Sequence, residues 1–366
     1  MIKINNLKKP KRQIQLTTFV PIISLVLALL VGTIFIVLSG NNPVDIYSLM
    51  FRGALATKSG ILQSLLQATP LIFSGLSVAI AYRGGLLNLG VEGQMYFGAL
   101  FSALVGLYVK NLPHLIHVLL CIVAGIVGGV LWSLLPVLLK LKRGVNEVVS
   151  ALMLNYVALL FVEYLTTYPL HSGESYTAQT ARIADSARLS RLVPNSQVNT
   201  SIFIALVLVV LAQFFFKRTR LGYNVRMTGL NLSAASAAGI NSAHTMVLSM
   251  VLAGAVSGLA GVGETLGTHG RLVYSFSPGY GFTGIAVAML GTSIPSVIFS
   301  ALLFGVLRAG SMALSLGSNL SVRFLTMLQG IIILFVAAPQ LSLRILQYNP
   351  FKRKKQRGEP RQIEEE

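Results

Sequence analysis

Acidic side chains inside apolar sequence are the first candidates for function in this 366-residue chain. Four of its eleven acidic residues fall in or at the edges of long apolar runs: Glu92, Glu147, Glu163 and Glu264. A charged group in the interior of a bilayer costs at least about 2.5–3.5 kcal/mol, so it must face a cavity or another polar group. Each acid is therefore a candidate for lining a polar pathway, and each also has a structural alternative.

The first cluster lies at 82–99, in the sequence YRGGLLNLGVEGQMYFGA. Its four glycines between 84 and 93 disfavour an unbroken helix, so we expect Asn88, Glu92 and Gln94 to surround a broken turn. Irregular backbone at membrane depth is tolerated only where protein or water satisfies its amides. Glu92 either caps exposed amides or lines a pathway, and both interpretations stay open.

The second cluster lies at 142–160, in the sequence KRGVNEVVSALMLNYVALL. Asn146 is predicted to cap a helix, and Glu147 suits the positive end of the helix dipole. Asn155 lies on the same helix face, about 12 Å further along at 1.5 Å per residue. Glu147 is either a dipole partner or a pathway residue. Asn155 either forms a hydrogen bond between helices or contacts the pathway.

Two further charges fall late in the chain. Glu264 follows glycines spaced for tight helix packing, and we expect it to form a gate or a structural hydrogen bond. His269 and Arg271 are expected to be ordinary loop residues. Arg308 lies in the middle of an apolar run and must find a partner or water. The sequence predicts no metal site and no catalytic set of residues.

The composition indicates which elements carry these residues. Hydrophobic residues make up 54% of the chain and charged residues 11%, with a mean hydropathy of +0.72. Soluble chains contain about 25% charged residues, and apolar runs of about 20 residues cross a bilayer as helices. These features exclude a soluble enzyme, a disordered tail, a secreted disulfide scaffold and a coiled coil. They predict an all-α polytopic membrane protein with about ten transmembrane helices, at 18–38, 60–82, 92–109, 114–139, 146–168, 200–216, 244–267, 279–293, 295–316 and 323–345. The run at 279–293 is short and rich in glycine, which favours a half-helix.

Basic residues predict the orientation. With ten spans, 20 of the 29 Lys and Arg residues lie on one side and eight on the other. The positive-inside rule therefore predicts cytoplasmic termini. The net charge of +18 is interpreted as a topology signal and a contact with anionic membrane lipid, not as a site for nucleic acid. The chain divides into a basic arm (1–17), a membrane domain (18–345) and a charged tail (346–366), with an external loop at 169–199 and an internal loop at 217–243.

The internal loop is predicted to contain a short helix. Asn231 can cap the sequence LSAASAA, and Gly239 stands where a left-handed residue ends a helix. So short a helix is not stable alone. It is either an amphipathic connector or a docking element for a cytoplasmic protein.

Four separate motifs, which occur along the chain in the order expected for one protein family, resemble that family. The loop pattern G-x-N-x-x-A-A-x-x-A-G-I at 229–240 is similar to the coupling-helix segment of ATP-binding cassette (ABC) importer permeases that handle nucleosides, simple sugars and branched-chain amino acids. The sequence at 84–94 resembles their G-L-F-N-I-G-x-E-G-Q signature, with Leu87 and Leu89 as mild departures. The string GVNEVVSALMLNY at 144–156 is close to one in nucleoside-type permeases, and PGYGFTGIAVAMLG at 278–291 resembles the family's second glycine-rich element.

The resemblance implies that the chain is the permease subunit of a bacterial ABC importer in the cell membrane. It is most similar to the permeases that carry nucleosides. Simple sugars such as ribose or galactose, or branched-chain amino acids, are the alternative cargo; a secondary transporter or channel is the alternative class. The implied partners are two cytoplasmic ATPase subunits that hold ATP and Mg²⁺, a second and different permease chain, and an extracellular substrate-binding lipoprotein. The chain lacks a G-x-x-x-x-G-K-[ST] loop, so we expect neither enzymatic activity nor a bound cofactor in this subunit. The implied pathway residues are Asn88, Glu92, Gln94, Glu147, Asn155 and Glu264; the implied docking residues are Arg226, Gly229, Asn231, Ala234, Ala235, Ala238 and Gly239.

Overall fold

The computed structural model describes residues 26–27, 29–173, 177–291, 293–317, 327 and 330. The chain divides into two compact units, residues 1–43 with 323–366, and residues 44–322. In the first unit the described part includes one apolar helix, α1 (Leu29–Leu38). The predicted basic arm, the charged tail and the last span at 323–345 lie outside the described residues, apart from two isolated positions in that span.

The second unit is built from helices of very different lengths. Their bounds in chain order are α2 (Pro43–Phe51), α3 (Lys58–Arg83), α4 (Val91–Tyr108), α5 (His114–Arg143), α6 (Glu147–Thr167), α7 (Ser201–Arg218), α8 (Arg220–Leu230), α9 (Leu232–Ala237), α10 (Ser242–Val262), α11 (Tyr280–Leu290) and α12 (Ser296–Gly317). A π-helical turn, Arg52–Ala56, precedes α3, and a second one, Gly263–His269, extends α10. The loop between α6 and α7 contains a 3₁₀ turn, Asp185–Ala187.

The all-helical prediction is confirmed for the described part of the chain, where extended pairing is limited to three isolated bridges. Six helices there are long and apolar enough to cross a membrane: α3, α5, α6, α7, α10 with its extension, and α12. The predicted count of ten is not confirmed, and most of the predicted last span and about half of the first lie outside the described residues. Helix α4 has 18 residues but begins with polar Glu92 and Gln94, and α11 has only 11 residues, as the half-helix prediction requires.

Helix α3 forms the centre of the second unit, packing against α10, α11 and α12. The glycine spacing of α10 serves close packing, as predicted. A methyl group added to Gly258 would collide with the carbonyl oxygen of Gly125 in α5, and one added to Gly98 in α4 would collide with Gly258. Because these contacts join backbone to backbone, α4, α5 and α10 form a tight group. Helices α5, α6 and α7 expose large apolar side chains that suit lipid or another subunit.

Candidate functional site

A non-helical segment, residues 84–90, separates α3 from α4. Gly84 and Leu86 donate backbone hydrogen bonds to Ala81 O, at 2.9 and 3.1 Å, which closes the end of α3. Gly85 has a φ of +77°, a left-handed conformation that favours glycine. The predicted break is therefore confirmed, and it turns the chain so that polar side chains of both helices meet.

Asn88 and Gln94 form a reciprocal amide pair in this break. Asn88 Nδ2 donates to Gln94 Oε1 at 2.9 Å, and Gln94 Nε2 donates to Asn88 Oδ1 at 3.0 Å. Asn88 also donates to Ser77 of α3, whose hydroxyl accepts from Ser257 of α10 at 2.7 Å. Both amide side chains are fully buried. The network therefore ties α3, α4 and α10 together.

Asn155 of α6 supports the same segment. Its Oδ1 accepts from Gly93 N at 2.9 Å, and its Nδ2 donates to Leu89 O at 2.7 Å. The expected hydrogen bond between helices is therefore present, from Asn155 of α6 to the backbone of the first turn of α4, and a second bond reaches the backbone of the break. The side-chain amide of asparagine has one acceptor oxygen and one donor NH₂ group, so it can pair one backbone N–H and one backbone C=O that the helix break leaves without partners.

Glu92 connects the break to α11. Its Oε2 accepts from Gly281 N at 2.7 Å, in the first turn of α11, while Ser277 Oγ accepts from Tyr280 N at 3.0 Å. Glu92 is 9% exposed. The capping contact is thus present, and the carboxylate lies at the positive end of a helix dipole.

Arg308 reaches the same end of α11 from α12. Its Nη2 donates to Pro278 O at 2.8 Å, and its guanidinium lies 4.7 Å from the centre of the Tyr280 ring. Tyr280 Oη donates to Gln67 Oε1 of α3 at 2.9 Å. The expectation that Arg308 finds a partner is confirmed. Gln67 and Tyr280 were not among the residues predicted from the sequence, although two glutamines four residues apart in an apolar helix, Gln63 and Gln67, were a usable signal.

Glu264 lies in the π-helical turn, close enough to Arg308 and Tyr280 to interact with them electrostatically. It is 5% exposed, and its Oε2 is 3.5 Å from His269 Nε2. His269 belongs to the same turn, so its prediction as a loop residue was wrong, whereas Arg271 does lie in a loop. Glu264 also lines a small pocket with Thr69, Asn199 and Ser201, among others.

Cavities lie at the two ends of α3. At its first residues, a cavity of about 570 Å³ is bordered by Lys58, Ser59 and Gln63 and by the loop 193–197. At its last residues, a cavity of about 610 Å³ is bordered by Arg83, Glu147 and Arg226, among others. Glu147 begins α6 after its cap Asn146, as predicted, and its Oε1 lies 2.7 Å from Lys140 Nζ. The structure thus separates Glu147 from Asn155, although they share a helix.

The loop 217–243 contains the predicted short helix, α9. Asn231 Oδ1 accepts from Ala234 N at 3.0 Å, and Gly239 has a φ of +80°. Ala234 and Ala238 are exposed, whereas Ala235 is buried. The predicted cap and terminator are therefore confirmed, and small side chains face outward.

Helix α8 anchors this loop to the break. A methyl group added to Gly229 would collide with Arg83 O, and one added to Gly85 would lie 3.2 Å from Gly229 Cα. The hydroxyls of Thr228 and Thr245 are 2.8 Å apart, which joins α8 to α10. The predicted docking segment is therefore in backbone contact with the end of α3 and the start of the break. Among the described residues, no three His, Cys, Asp or Glu side chains are placed to hold a metal ion.

Comparison with known proteins adds a family match. Residues 60–337 match the family described as branched-chain amino acid transport system / permease component. The chain is 34% identical to the glucose ABC transporter permease protein TsgB13 of Haloferax volcanii, over 88% of each chain. It is 36% identical to the nucleoside ABC transporter permease protein NupB of Lactococcus lactis, over 80% of this chain and 83% of NupB. It is 33% identical to the guanosine ABC transporter permease protein NupP of Bacillus subtilis, over 87% of this chain and 92% of NupP. No solved structure matches the chain significantly.

The contacts of Asn155 generate a stability prediction. Asn155→Leu keeps a similar volume but leaves Gly93 N–H and Leu89 C=O unpaired. An unsatisfied buried group costs about 1–3 kcal/mol, so we expect a clear fall in the melting temperature of the purified protein in detergent. Tyr156→Leu is the control, because Tyr156 is 61% exposed. Equal melting temperatures for Asn155→Leu and the unchanged protein would contradict a supporting role for Asn155.

Proposed function

The chain belongs to the family of branched-chain amino acid transport system permease components, and on that premise we propose that it carries nucleosides across the membrane as the permease subunit of an ABC importer. The observation that carries the nucleoside proposal is the similarity to NupB and NupP, a nucleoside and a guanosine permease, over at least four fifths of this chain. The string at 144–156, which is close to one in nucleoside-type permeases, supports the same cargo.

A simple sugar is the second candidate cargo. TsgB13, a glucose permease, matches the chain at 34% identity over 88% of its length. Branched-chain amino acids stay a third candidate through the family description alone. A transporter or channel that works without ATP is the rival of a different class, and the backbone contact between loop 217–243 and the break is a feature it does not require.

In this proposal, the ATPase subunit that supplies the energy for transport contacts the chain at α9. The exposed Ala234 and Ala238 let another surface approach the helix backbone closely, because a methyl group is the whole side chain. We assign this surface to an ATPase subunit that binds ATP and Mg²⁺, with Arg226, Gly229, Asn231 and Gly239 shaping the segment around it.

The second step passes from α8 to the break. Gly229 lies against Arg83 O and Gly85, so little side-chain volume can absorb a displacement of α8. Close-packed interiors transmit small shifts. A movement of the loop when the ATPase subunits close therefore shifts residues 84–90.

The third step moves the polar cluster. Residues 84–90 carry Asn88, and the following turn of α4 carries Glu92 and Gln94. Glu92 holds the start of α11, so a shift of the break also pulls on α11. In this conformation Asn88 and Gln94 are buried and paired, which fits a closed pathway at this depth. Opening it exposes the same amides to a solute rich in hydroxyl and carbonyl groups.

The two ends of the pathway have different acids nearby. We place Glu264 and the cavity at Lys58 and Gln63 on the external side, where a substrate-binding lipoprotein delivers the solute. We place Glu147 at the cytoplasmic mouth. This orientation, with both termini in the cytoplasm of a bacterial cell, rests on the distribution of basic residues.

A second, different permease chain completes the proposed transporter. Helices α6 and α7 expose apolar faces that include Tyr156, Phe161, Phe203 and Phe214. Pairing with another permease covers part of such surface and encloses a pathway between two subunits.

The cargo proposal is tested by uptake. In cells that express the complete importer, we expect uptake of labelled uridine or adenosine to depend on this chain, while uptake of ribose, glucose and leucine does not. The control is an ATPase subunit without its catalytic base, which must abolish the same uptake. Dependence of ribose or glucose uptake alone would reject nucleosides, and ATP-independent uptake driven by an ion gradient would reject the importer.

The docking proposal is tested at Ala238. Ala238→Glu places a bulky charge on the exposed side of α9, so we expect at least about tenfold weaker binding of the ATPase subunit, equivalent to 1.4 kcal/mol, and a matching loss of uptake. Ala238 is a cleaner target than Ala235 or Gly239, because Ala235 is buried and Gly239 has a positive φ. Ala181→Glu, at an exposed alanine in the loop 169–199, is the matched control. Unchanged co-purification of the ATPase with the Ala238 variant would remove α9 as the docking element.

A further inference from the structure

The cavity of about 610 Å³ beside α8 has two cationic walls. Arg83 lies at the end of α3, and Arg226 lies on α8; both border the cavity. Arg226 Nε is buried and has no hydrogen-bond partner. Buried donors are almost always paired, so an unpaired one needs an explanation.

Neither arginine has an acidic partner among the residues that the structure describes. Arg83 Nη1 donates to Ala79 O at 3.1 Å, and its guanidinium lies 5.6 Å from the centre of the Phe216 ring. The one carboxylate that borders the cavity, Glu147, lies 2.7 Å from Lys140 Nζ and is neutralised by it. Two guanidinium groups therefore face one space with no anion of their own.

The other walls of the cavity are apolar. Tyr82 and Leu230 border it and are 60% and 77% exposed, and Leu86, Leu87 and Met289 complete the lining. A soluble anion would leave these side chains in water. An amphiphilic anion would cover them and pair the arginines at once.

The height of the cavity suits a lipid headgroup. Tyr82 and Arg83 end a membrane-crossing helix, and Arg226 lies on α8, which follows the membrane-crossing helix α7. Tyrosine and arginine are typical of the membrane–water interface, and basic pockets between helices on the cytoplasmic side bind anionic headgroups.

We propose that this cavity binds an anionic phospholipid, with the phosphate between Arg83 and Arg226 and an acyl chain along Leu87, Leu230 and Met289. Because Gly229 and Gly85 meet beside the cavity, the bound lipid braces the contact between α8 and the break. The inference rests on the proposed function for the side of the membrane. The site shares Arg226 with the proposed docking segment and Glu147 with the proposed cytoplasmic mouth, so lipid binding is measured on the purified chain without substrate or ATPase.

The test measures phospholipid binding to the purified full-length chain in detergent, by native mass spectrometry. The probes are dioleoyl phosphatidylglycerol, dioleoyl phosphatidylcholine and soluble glycerol 3-phosphate. Removing one cation near a membrane surface costs about fivefold in anionic-lipid affinity, so we expect Arg226→Gln and Arg83→Gln each to weaken phosphatidylglycerol binding about fivefold. Arg218→Gln, at an exposed arginine outside the cavity, is the matched control for net charge and should change binding little.

Three outcomes would overturn the proposal. Equal weakening by all three variants would mean diffuse attraction to a basic surface. Glycerol 3-phosphate that binds as tightly as phosphatidylglycerol would mean a site for soluble phosphate, and equal binding of phosphatidylcholine would mean no anion site. The Arg226 variant decides the question if Arg83→Gln does not fold, since Arg226 is not part of a membrane-crossing helix. If Arg226→Gln lowers transport but leaves phosphatidylglycerol binding unchanged, the result concerns the proposed transport function, and the lipid site is rejected.

Discussion

A buried interruption between helices leaves backbone groups that water cannot satisfy, and most of the polar chemistry of this chain answers that constraint. The break at 84–90 is closed by its own turn, by the amide of Asn155, and by Asn88, which accepts from Gly90 N at 3.1 Å. The start of α11 is a second interruption, and Glu92 and Arg308 satisfy it from two sides. The intramembrane polar residues thus act first as parts of the scaffold. A pathway through this region must open by rearranging the contacts that hold the breaks together.

The same constraint explains how distant parts of the chain are connected. A break supported by side chains from α3, α6 and α10 cannot shift alone, because each supporting residue holds it to another helix. Glycine contacts, such as Gly229 against Arg83 O, leave no flexible side chain between the loop 217–243 and the break. The loop 217–243 is therefore in backbone contact with the break, and the break carries the hydrogen-bonded polar side chains.

Local features of this structure could be predicted from the sequence, and distant partners could not. The caps Asn146 and Asn231, the terminator Gly239 and the glycine break follow from neighbours within a few residues, and all four are found. The partners of Asn155, Glu92 and Tyr280 lie 62, 189 and 213 residues away, and one sequence carries no record of such distances. The same limit explains His269, whose position depends on α10 continuing as a π-helical turn beyond its glycines. The count of ten spans is not confirmed in the described part of the chain, where α4 begins with polar residues and α11 has 11 residues. Both helices are largely buried by their neighbours, so apolar length is a poor guide there.

We propose that a displacement of α9 is transmitted through α8 to residues 84–94. Amide hydrogen exchange of the assembled importer measures this most directly, with and without a non-hydrolysable ATP analogue on the ATPase subunits. We expect the analogue to change the exchange rate of amides in 84–94 and in the first turn of α11 together with those of α8 and α9. If the analogue alters exchange in α8 and α9 but leaves 84–94 and α11 unchanged, the proposed route from the loop to the polar cluster is contradicted.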